Sequence, residues 1–310
     1  MYLSRQHFQF PFERVADGSV VTIGSFDGLH FGHRVLLDRV FEAAKTHQLP
    51  SVVMSFEPTP KEFFLADSPP ARLMRFREKF EALADVGVDL FFCPRFDESM
   101  KNIAADTFIR QILVHALNVR HLVIGDDFRF AQNREGDLDT LRRAGSALGF
   151  DVQQVASVEK AGERVSSSAI REALWEGDLD RATRLLGRPY RMSGRVILGE
   201  RVGRQLGYPT ANVNLNRKQS AVMGIFAVRV SGRDWGPLDA VASVGTRPTF
   251  GMSHPLLEVH IFDFDKDIYG EYIHVDFVAR LRSEEKFEDV DALVEQMHRD
   301  SALAREILAA

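Results

Sequence analysis

Cysteine is nearly absent from this sequence: Cys93 is the only one in 310 residues. That excludes an intrachain disulfide and a cysteine-based zinc site, and it suits a reducing compartment. Positive charge is scarce as well. Lys and Arg number 39 against 44 Asp and Glu, a net charge of −5, which argues against gripping nucleic acid along a broad surface, because such binding rests on clustered cations. Any phosphate binding has to be local. No stretch approaches the roughly 20 apolar residues of a membrane span, and the N-terminal MYLSRQHFQFPFERVADG has no continuous apolar core flanked by a cleavage site. The expectation is a cytoplasmic protein with neither membrane nor nucleic acid among its partners. Gly-Lys never occurs, so a lysine P-loop is excluded. Internal repeats and low-complexity segments are missing too.

What is present is an ordinary globular composition, 45% hydrophobic and 27% charged, and enough chain for two domains at about 100 to 200 residues each. The stretch Val20 to His33, VVTIGSFDGLHFGH, organises the first half. A β-branched run (Val20, Val21, Ile23) turns through Gly24, Gly28 and Gly32 into HRVLLDRVFEAAKTH, whose Leu36, Leu37, Val40, Ala43 and Ala44 recur at helical spacing. Strand, tight glycine turn and helix make a ready phosphate site, since the first helical N–H groups and the positive end of the helix dipole face the turn. His30 and His33, three apart at the mouth of that helix, share a face and could stabilise charge moving onto a leaving group. A zinc reading lacks a third ligand and HExxH spacing. The string G-S-F-D-G-L-H-F-G-H resembles the signature of the HxGH nucleotidyltransferases, and that resemblance implies that His30 and His33 contact a nucleoside triphosphate.

Further along, SVVMSF, VDLFFCPRF and HLVIG are apolar runs separated by the helical patterns of RFREKFEALADVG and AADTFIRQILVHALN. This βαβ rhythm, with strands almost wholly apolar, predicts a parallel sheet covered on both faces. Ligands then collect at the C-terminal strand ends, so the turn after Ile23 and the turn GDDFRFAQNREGD should face one crevice. The second turn places Arg129 and Arg134 beside Gly125 and Gly136, and a guanidinium fork matches phosphate oxygens. VSSSAIREAL sets three serines before a helix with Arg171 one turn in: N-caps on one reading, an anion site on the other.

Taken together and in this order, FDGLHFGH, SFEPTPKEFF, GDDFRFAQNREGD and VSSSAIR resemble the adenylyltransferase half of the prokaryotic bifunctional riboflavin kinase/FAD synthetase family. The resemblance implies a Rossmann-like domain over residues 1–187. In it Gly24, Phe26, Asp27, Gly28, Arg129, Ser166, Ser167, Ser168 and Arg171 would hold nucleotide and phosphates, and Asp126, Phe128 and Arg134 the flavin. Thr59 departs from the family's His after Glu-Pro. Ala131 stands in place of a usual Gly and would be strained if that turn needs positive φ.

Beyond GDLDRATRLLGRPY the pattern changes to short alternating runs, SGRVILG, GIFAVRV, AVASVG, LEVHIFDF and YIHVDFVARL, which predict an antiparallel barrel or sandwich closed by the helix of EDVDALVEQMHRDSALAREIL. Residues 188–310 are read as this second domain. GRVILGERVGRQLGYPTAN resembles the riboflavin kinase motif. The resemblance implies an antiparallel β-barrel in which the loop of Gly199, Gly203, Gly207 and Pro209 covers ATP, while Thr210 and Asn212 hold Mg²⁺ and phosphates. The E-x-H-x-x-D-F-x-x-D-x-Y-G pattern makes Glu258 the implied general base toward the ribityl 5′-hydroxyl. The activity implied is phosphorylation of riboflavin to FMN with ATP and Mg²⁺, then adenylylation of FMN to FAD. The rival is a single-activity HxGH transferase with a regulatory flavin-binding barrel. His298-Arg299-Asp300 mimics a protein-kinase catalytic loop, but without the following Asn or any Asp-Phe-Gly it is read as chance.

Overall fold

A computed structural model describes residues 1–5, 13–199, 203, 206–249 and 252–310. The chain forms two compact units, Met1–Pro70 with Met74–Ser166, and Ala71–Leu73 with Ser167–Ala310.

In the first unit the strands β1 (Tyr2–Ser4), β2 (Ser19–Ile23), β3 (Ser51–Met54), β4 (Leu90–Phe92), β5 (Val119–Gly125) and β6 (Asp151–Val155) form one sheet in the order β1-β4-β3-β2-β5-β6. Every neighbouring pair is parallel. β2, β3 and β4 are buried at every residue, which is why they read as unbroken apolar runs: both faces are covered. Successive side chains alternate between two cores, as a two-residue period requires. Val21, Ile23, Val52, Met54, Leu122 and Ile124 lie in one core, and Val20, Val53, Phe91 and Val123 in the other. The second core is covered by helices α1 (Phe31–His47) and α3 (Phe76–Asp85), through Leu36, Leu37, Val40 and Leu83. The first core is covered by Phe108–Ala116, a π-helical segment, and by Leu141 of the helix Leu138–Leu148. After β4 the chain returns to place β5 on the far side of β2. The strand order therefore reverses between β2 and β5, and the crevice at such a switch point is where open α/β sheets bind ligands.

A short antiparallel pair, β7 (Glu159–Lys160) and β8 (Glu163–Arg164), comes last in the first unit, and the second unit opens with two helices, Ser167–Glu176 and Leu179–Leu186. Its strands are β9 (Tyr190–Ile197), β10 (Ala211–Asn214), β11 (Gly224–Ser231), β12 (Leu238–Thr249), β13 (Met252–Ile261) and β14 (Tyr272–Arg282). They close a barrel in the order β10-β13-β12-β11-β14-β9, every neighbouring pair antiparallel. Alternation sends Val213, Phe226, Val228, Leu257, Val259 and Phe277 inward, all with essentially no exposed surface. The last helix, α9 (Val290–Ala309), lays Ala304 and Leu308 on the outer wall against Ala227 and Phe262. The parallel α/β half, the antiparallel barrel and the closing helix are those the sequence pattern called for. The compact units part between Ser166 and Ser167, ahead of the change of pattern at Arg188, because the apolar side of Leu179–Leu186 packs against β9 and β14.

Candidate active sites

The first constellation is built by the turn that follows β2. Gly24 donates its N–H to the Met54 carbonyl at 3.0 Å, and a Cβ at Gly24 would lie 3.1 Å from the Phe26 ring, so a side chain there would push the ring away. Phe26 and Leu29 take φ of +48° and +43° and are fully buried; burial of large apolar groups holds them in a region that L-residues otherwise avoid. Asp27 accepts a 2.8 Å hydrogen bond from the Met74 N–H, which ties the turn to the segment leading into α3. The chain then enters α1 with His30 as N-cap: His30 Nδ1 accepts from the His33 N–H at 3.3 Å, a role in which Ser, Thr, Asp or Asn is usual. The two imidazoles stack with centroids 3.6 Å apart and planes 15° apart. Burial, and after it the neighbouring His30 and Lys79, hold the His33 imidazole well below its ordinary pKa, so it is neutral near pH 7. Its Nδ1 is buried without a hydrogen-bond partner among the described residues. Two stacked rings at the positive end of a 17-residue helix form a polar wall suited to phosphate oxygens.

The turn after β5 stands at the same sheet edge, since β2 and β5 are paired neighbours. Asp126 accepts from the Ser157 N–H at 2.8 Å and the Ser157 hydroxyl at 2.7 Å; the hydroxyl contact is the main cause that holds its carboxyl below the ordinary range. Asp126 thus ties β5 to the segment after β6. Phe128 stacks on Phe130 with centroids 5.8 Å apart. Arg129 is half exposed and 3.8 Å from Asp137, and Arg134 is exposed. Ala131 sits at φ +65°, ψ −175°, a region almost reserved for glycine; the turn does need positive φ, as the substituted glycine implied. Thr59 caps the short helix Pro60–Phe64 in a capping box with Glu62, so the departure there starts a helix. Ser166 ends the first unit, while Ser167 and Ser168 open the first helix of the second. Arg171 donates to the carbonyls of Ala71 at 2.6 Å and Ser167 at 3.1 Å.

The second constellation lies on the outer face of the barrel. Asn212 pairs across the sheet with Glu258 on one side and Ile197 on the other, and Glu258 pairs in turn with Ser243. Because Val213, Leu257 and Val259 point inward, Asn212 and Glu258 point outward together. Asn212 is nonetheless only 6% exposed, since the chain at Gly199 crosses it: a Cβ there would fall 2.4 Å from the Asn212 side-chain nitrogen. Gly203 is equally constrained. A Cβ on it would meet the Tyr208 carbonyl at 2.4 Å and approach the Thr210 hydroxyl at 3.3 Å. Its own carbonyl accepts from the Tyr208 N–H at 2.7 Å. Gly207 turns the chain at φ +82°, and the Pro209 carbonyl accepts from His260 Nδ1 at 2.9 Å. Glu200, Arg201, Val202, Arg204 and Gln205 of this loop lie outside the described residues.

Two family profiles divide the chain. One described as FAD synthetase matches residues 13–169, and one described as riboflavin kinase matches residues 186–308. The chain is 46% identical over 290 residues to the bifunctional riboflavin kinase/FMN adenylyltransferase of Escherichia coli K12, covering 94% of this chain and 93% of that protein. This chain belongs to the bifunctional riboflavin kinase/FMN adenylyltransferase family. The Pseudomonas fluorescens relative of the same name is 43% identical, with 94% of each chain covered. A crystal structure described as a macrolide-efflux protein from Streptococcus pneumoniae matches with a TM-score of 0.80 and 32% identity, over 96% of this chain and 99% of that one. No helix among the described residues is long and apolar enough to cross a membrane.

Sequence reasoning gave no role to three neighbours of the predicted groups. Lys79 is a buried cation that acts on His33. Glu284 lies where a Cβ of Gly245 would be, and burial together with the nearby Glu258 raises its pKa. His298 meets the Tyr208 hydroxyl. Lys79 and Glu284 have no local signal, and His298 stands out in the sequence only within a triplet read as chance. The His298-Arg299-Asp300 triplet is explained by packing: Asp300 is buried and accepts from Arg282 at 2.8 Å and Gln296 at 2.9 Å. Among the described residues no three His, Cys, Asp or Glu side chains gather to hold a metal. The hydroxyl of Thr210 and the amide of Asn212 are hard oxygen donors too few to cage a cation. That set fits Mg²⁺, which takes most of its ligands from water and substrate phosphates.

Proposed function

We propose that the two constellations carry the two steps of flavin cofactor synthesis separately. The protein converts riboflavin and ATP to FMN, and FMN and ATP to FAD with release of pyrophosphate. In the first step Glu258 accepts the proton of the ribityl 5′-hydroxyl as that oxygen attacks the γ-phosphorus and the bond to ADP breaks. Thr210 and Asn212 would hold Mg²⁺, which when bound supplies neutralisation of phosphate charge. The chain at Gly199 and Gly203, with Gly207 and Pro209, closes over the ATP. What supports this reading is the register that sets Asn212 opposite Glu258.

In the second step the FMN phosphate oxygen attacks the α-phosphorus of a second ATP and pyrophosphate leaves. His30 and His33 stabilise the charge that develops on the phosphoryl oxygens, aided by the N-terminus of α1. Gly24, Phe26, Asp27 and Gly28 shape that turn. Arg129 and Ser166 bind phosphates, a role the family resemblance also implies for Ser167, Ser168 and Arg171, and Phe128, Arg134 and Asp126 border the flavin. The two activities divide near Arg188, and the reaction takes place in the cytoplasm, in keeping with a sequence whose single cysteine, Cys93, is buried. The observation that carries the whole reading is that one chain holds two separate constellations, the stacked His30 and His33 at the N-terminus of α1 and the Asn212–Glu258 pair on the barrel. Incubation with riboflavin, ATP and Mg²⁺ tests it: FMN must appear first and FAD after it. A transferase with a merely regulatory barrel would make FAD only when FMN is supplied.

A further inference from the structure

The loop Leu206–Thr210 turns at Gly207, φ +82°, and a glycine-bearing loop loses conformational freedom when it is ordered around a ligand. Its far end is fixed, because Ala211 and Asn212 already belong to β10. The end before Thr210 is held by side chains. Tyr208 is buried, and its hydroxyl hydrogen-bonds His298 Nδ1. Its ring meets those of His298 and His260 edge-on, at centroid distances of 5.3 and 5.0 Å. His260 also donates to the carbonyl of Pro209, the residue between Tyr208 and Thr210. His298 stands on α9, which is pinned to the barrel wall by Ala304 and Leu308 and by the ion pair of Asp300 with Arg282.

We propose that His298 is a positioning residue for the kinase step, acting through Tyr208 to preorder the loop that presents Thr210 to ATP. This rests on the reading that Thr210 and Asn212 handle the ATP phosphates. The latch touches neither substrate nor reacting atoms, so it acts on the cost of ordering the loop, which is met on ATP binding. Breaking it weakens ATP binding by roughly three- to tenfold, the factor that one uncharged hydrogen bond is worth, with little change in turnover at saturation.

The test uses the full chain with His298→Ala, Tyr208→Phe, their double variant, His298→Asn and, as a separate arm, Thr210→Ala. The KM for ATP and kcat are measured in FMN formation, calorimetric affinity is measured for ADP with Mg²⁺, and folding is checked by melting temperature and by FAD synthesis from FMN. The expected result is a raised KM for ATP and a matching loss of ADP affinity in both single variants. The double variant should be no worse than either single, since both remove one interaction. His298→Asn, whose amide stands near the position of Nδ1, should recover most of the loss, and FAD synthesis from FMN should be unchanged throughout. Unaltered ATP and ADP parameters in His298→Ala and Tyr208→Phe, with Thr210→Ala impaired, would overturn the latch while leaving the site reading in place. An unimpaired Thr210→Ala would overturn the site reading and the latch with it. A fall in kcat and melting temperature at constant KM would reduce His298 to a packing residue and overturn the proposal.

Discussion

Asn212 of β10 and Glu258 of β13 are direct cross-strand partners with both side chains on the outer face of the barrel, although 46 positions separate them in the chain. In an antiparallel pair such side chains lie about 5 Å apart at Cβ, close enough for the amide proposed to hold phosphate and cation and the carboxylate proposed to take the proton to serve neighbouring atoms of one reaction centre. Glu258→Gln preserves size but cannot accept a proton. FMN formation should fall by roughly 10²- to 10⁴-fold, and FAD synthesis from supplied FMN should continue at the parent rate. Equal loss of both activities in a folded variant would mean that the two sites are not separate.

The adenylylation step is proposed to depend on the histidine pair. His30→Ala or His33→Ala removes a group from a stack only 3.6 Å deep. If each acts like an oxyanion-hole donor it is worth about 2.7 to 4 kcal/mol in the transition state, so FAD formation from FMN should drop by two to three orders of magnitude. Riboflavin phosphorylation, assayed separately, should be unchanged. Undiminished FAD formation in both variants would remove these residues from the mechanism.

His33 also links pH to stability. Its folded pKa lies well below the ordinary value of 6.5 because burial and the His30 and Lys79 charges disfavour the imidazolium. Below pH 6.5 the unfolded chain binds a proton at this position that the folded chain does not. The sign follows: the His33 contribution is fully present above pH 6.5 and is lost as pH falls from there toward the folded pKa. The melting temperature of the parent should decline between pH 7 and 5, and His33→Gln should flatten part of that decline. An identical pH dependence in the two proteins would rule the linkage out.

Ala131 offers a gain. Its φ of +65° with ψ of −175° costs about 1 to 3 kcal/mol for a residue with a Cβ, and glycine gives back roughly 0.5 to 1 kcal/mol through the freedom it adds to the unfolded chain. Ala131→Gly should therefore stabilise the protein by about 1 kcal/mol, read as a higher denaturant midpoint without a change in slope. A lower midpoint would show that the alanine is relaxed there.

The pairing of Arg282 with Asp300 separates packing from catalysis in the kinase-like triplet. Both side chains are largely buried, 16% and 8% exposed, and 2.8 Å apart. Removing one partner leaves a buried charge, so Asp300→Ala should destabilise by about 3 kcal/mol. The folded fraction should keep its kcat in FMN formation. A catalytic defect without a stability defect would reverse this assignment.

Both layers of the α/β half and the alternation of the barrel could be read directly, because they are periodic. Strands buried on both faces, such as Ser19–Ile23 and Ser51–Met54, advertise themselves as apolar runs. The histidine turn was legible for a different reason. Gly24, Phe26, His30 and His33 act on one another across at most nine positions, so cap, stack and glycine contact are all encoded locally. Asp126 shows where local reading ends: both its oxygens meet Ser157, 31 residues away, a contact that no short stretch encodes.

The sequence by itself determined the element types, the order of the two halves and the identity of the groups able to do chemistry, since propensity, periodicity and side-chain type are properties of short stretches. Only the tertiary structure decided which of those groups meet. Sheet order placed β5 beside β2 and so brought two distant turns to one edge. Barrel closure set Asn212 opposite Glu258. The docking of α9 carried His298 to Tyr208, 90 residues away. Each depends on strand pairing and helix packing between segments far apart in the chain, where burial over the whole domain, rather than any local preference, selects the partner.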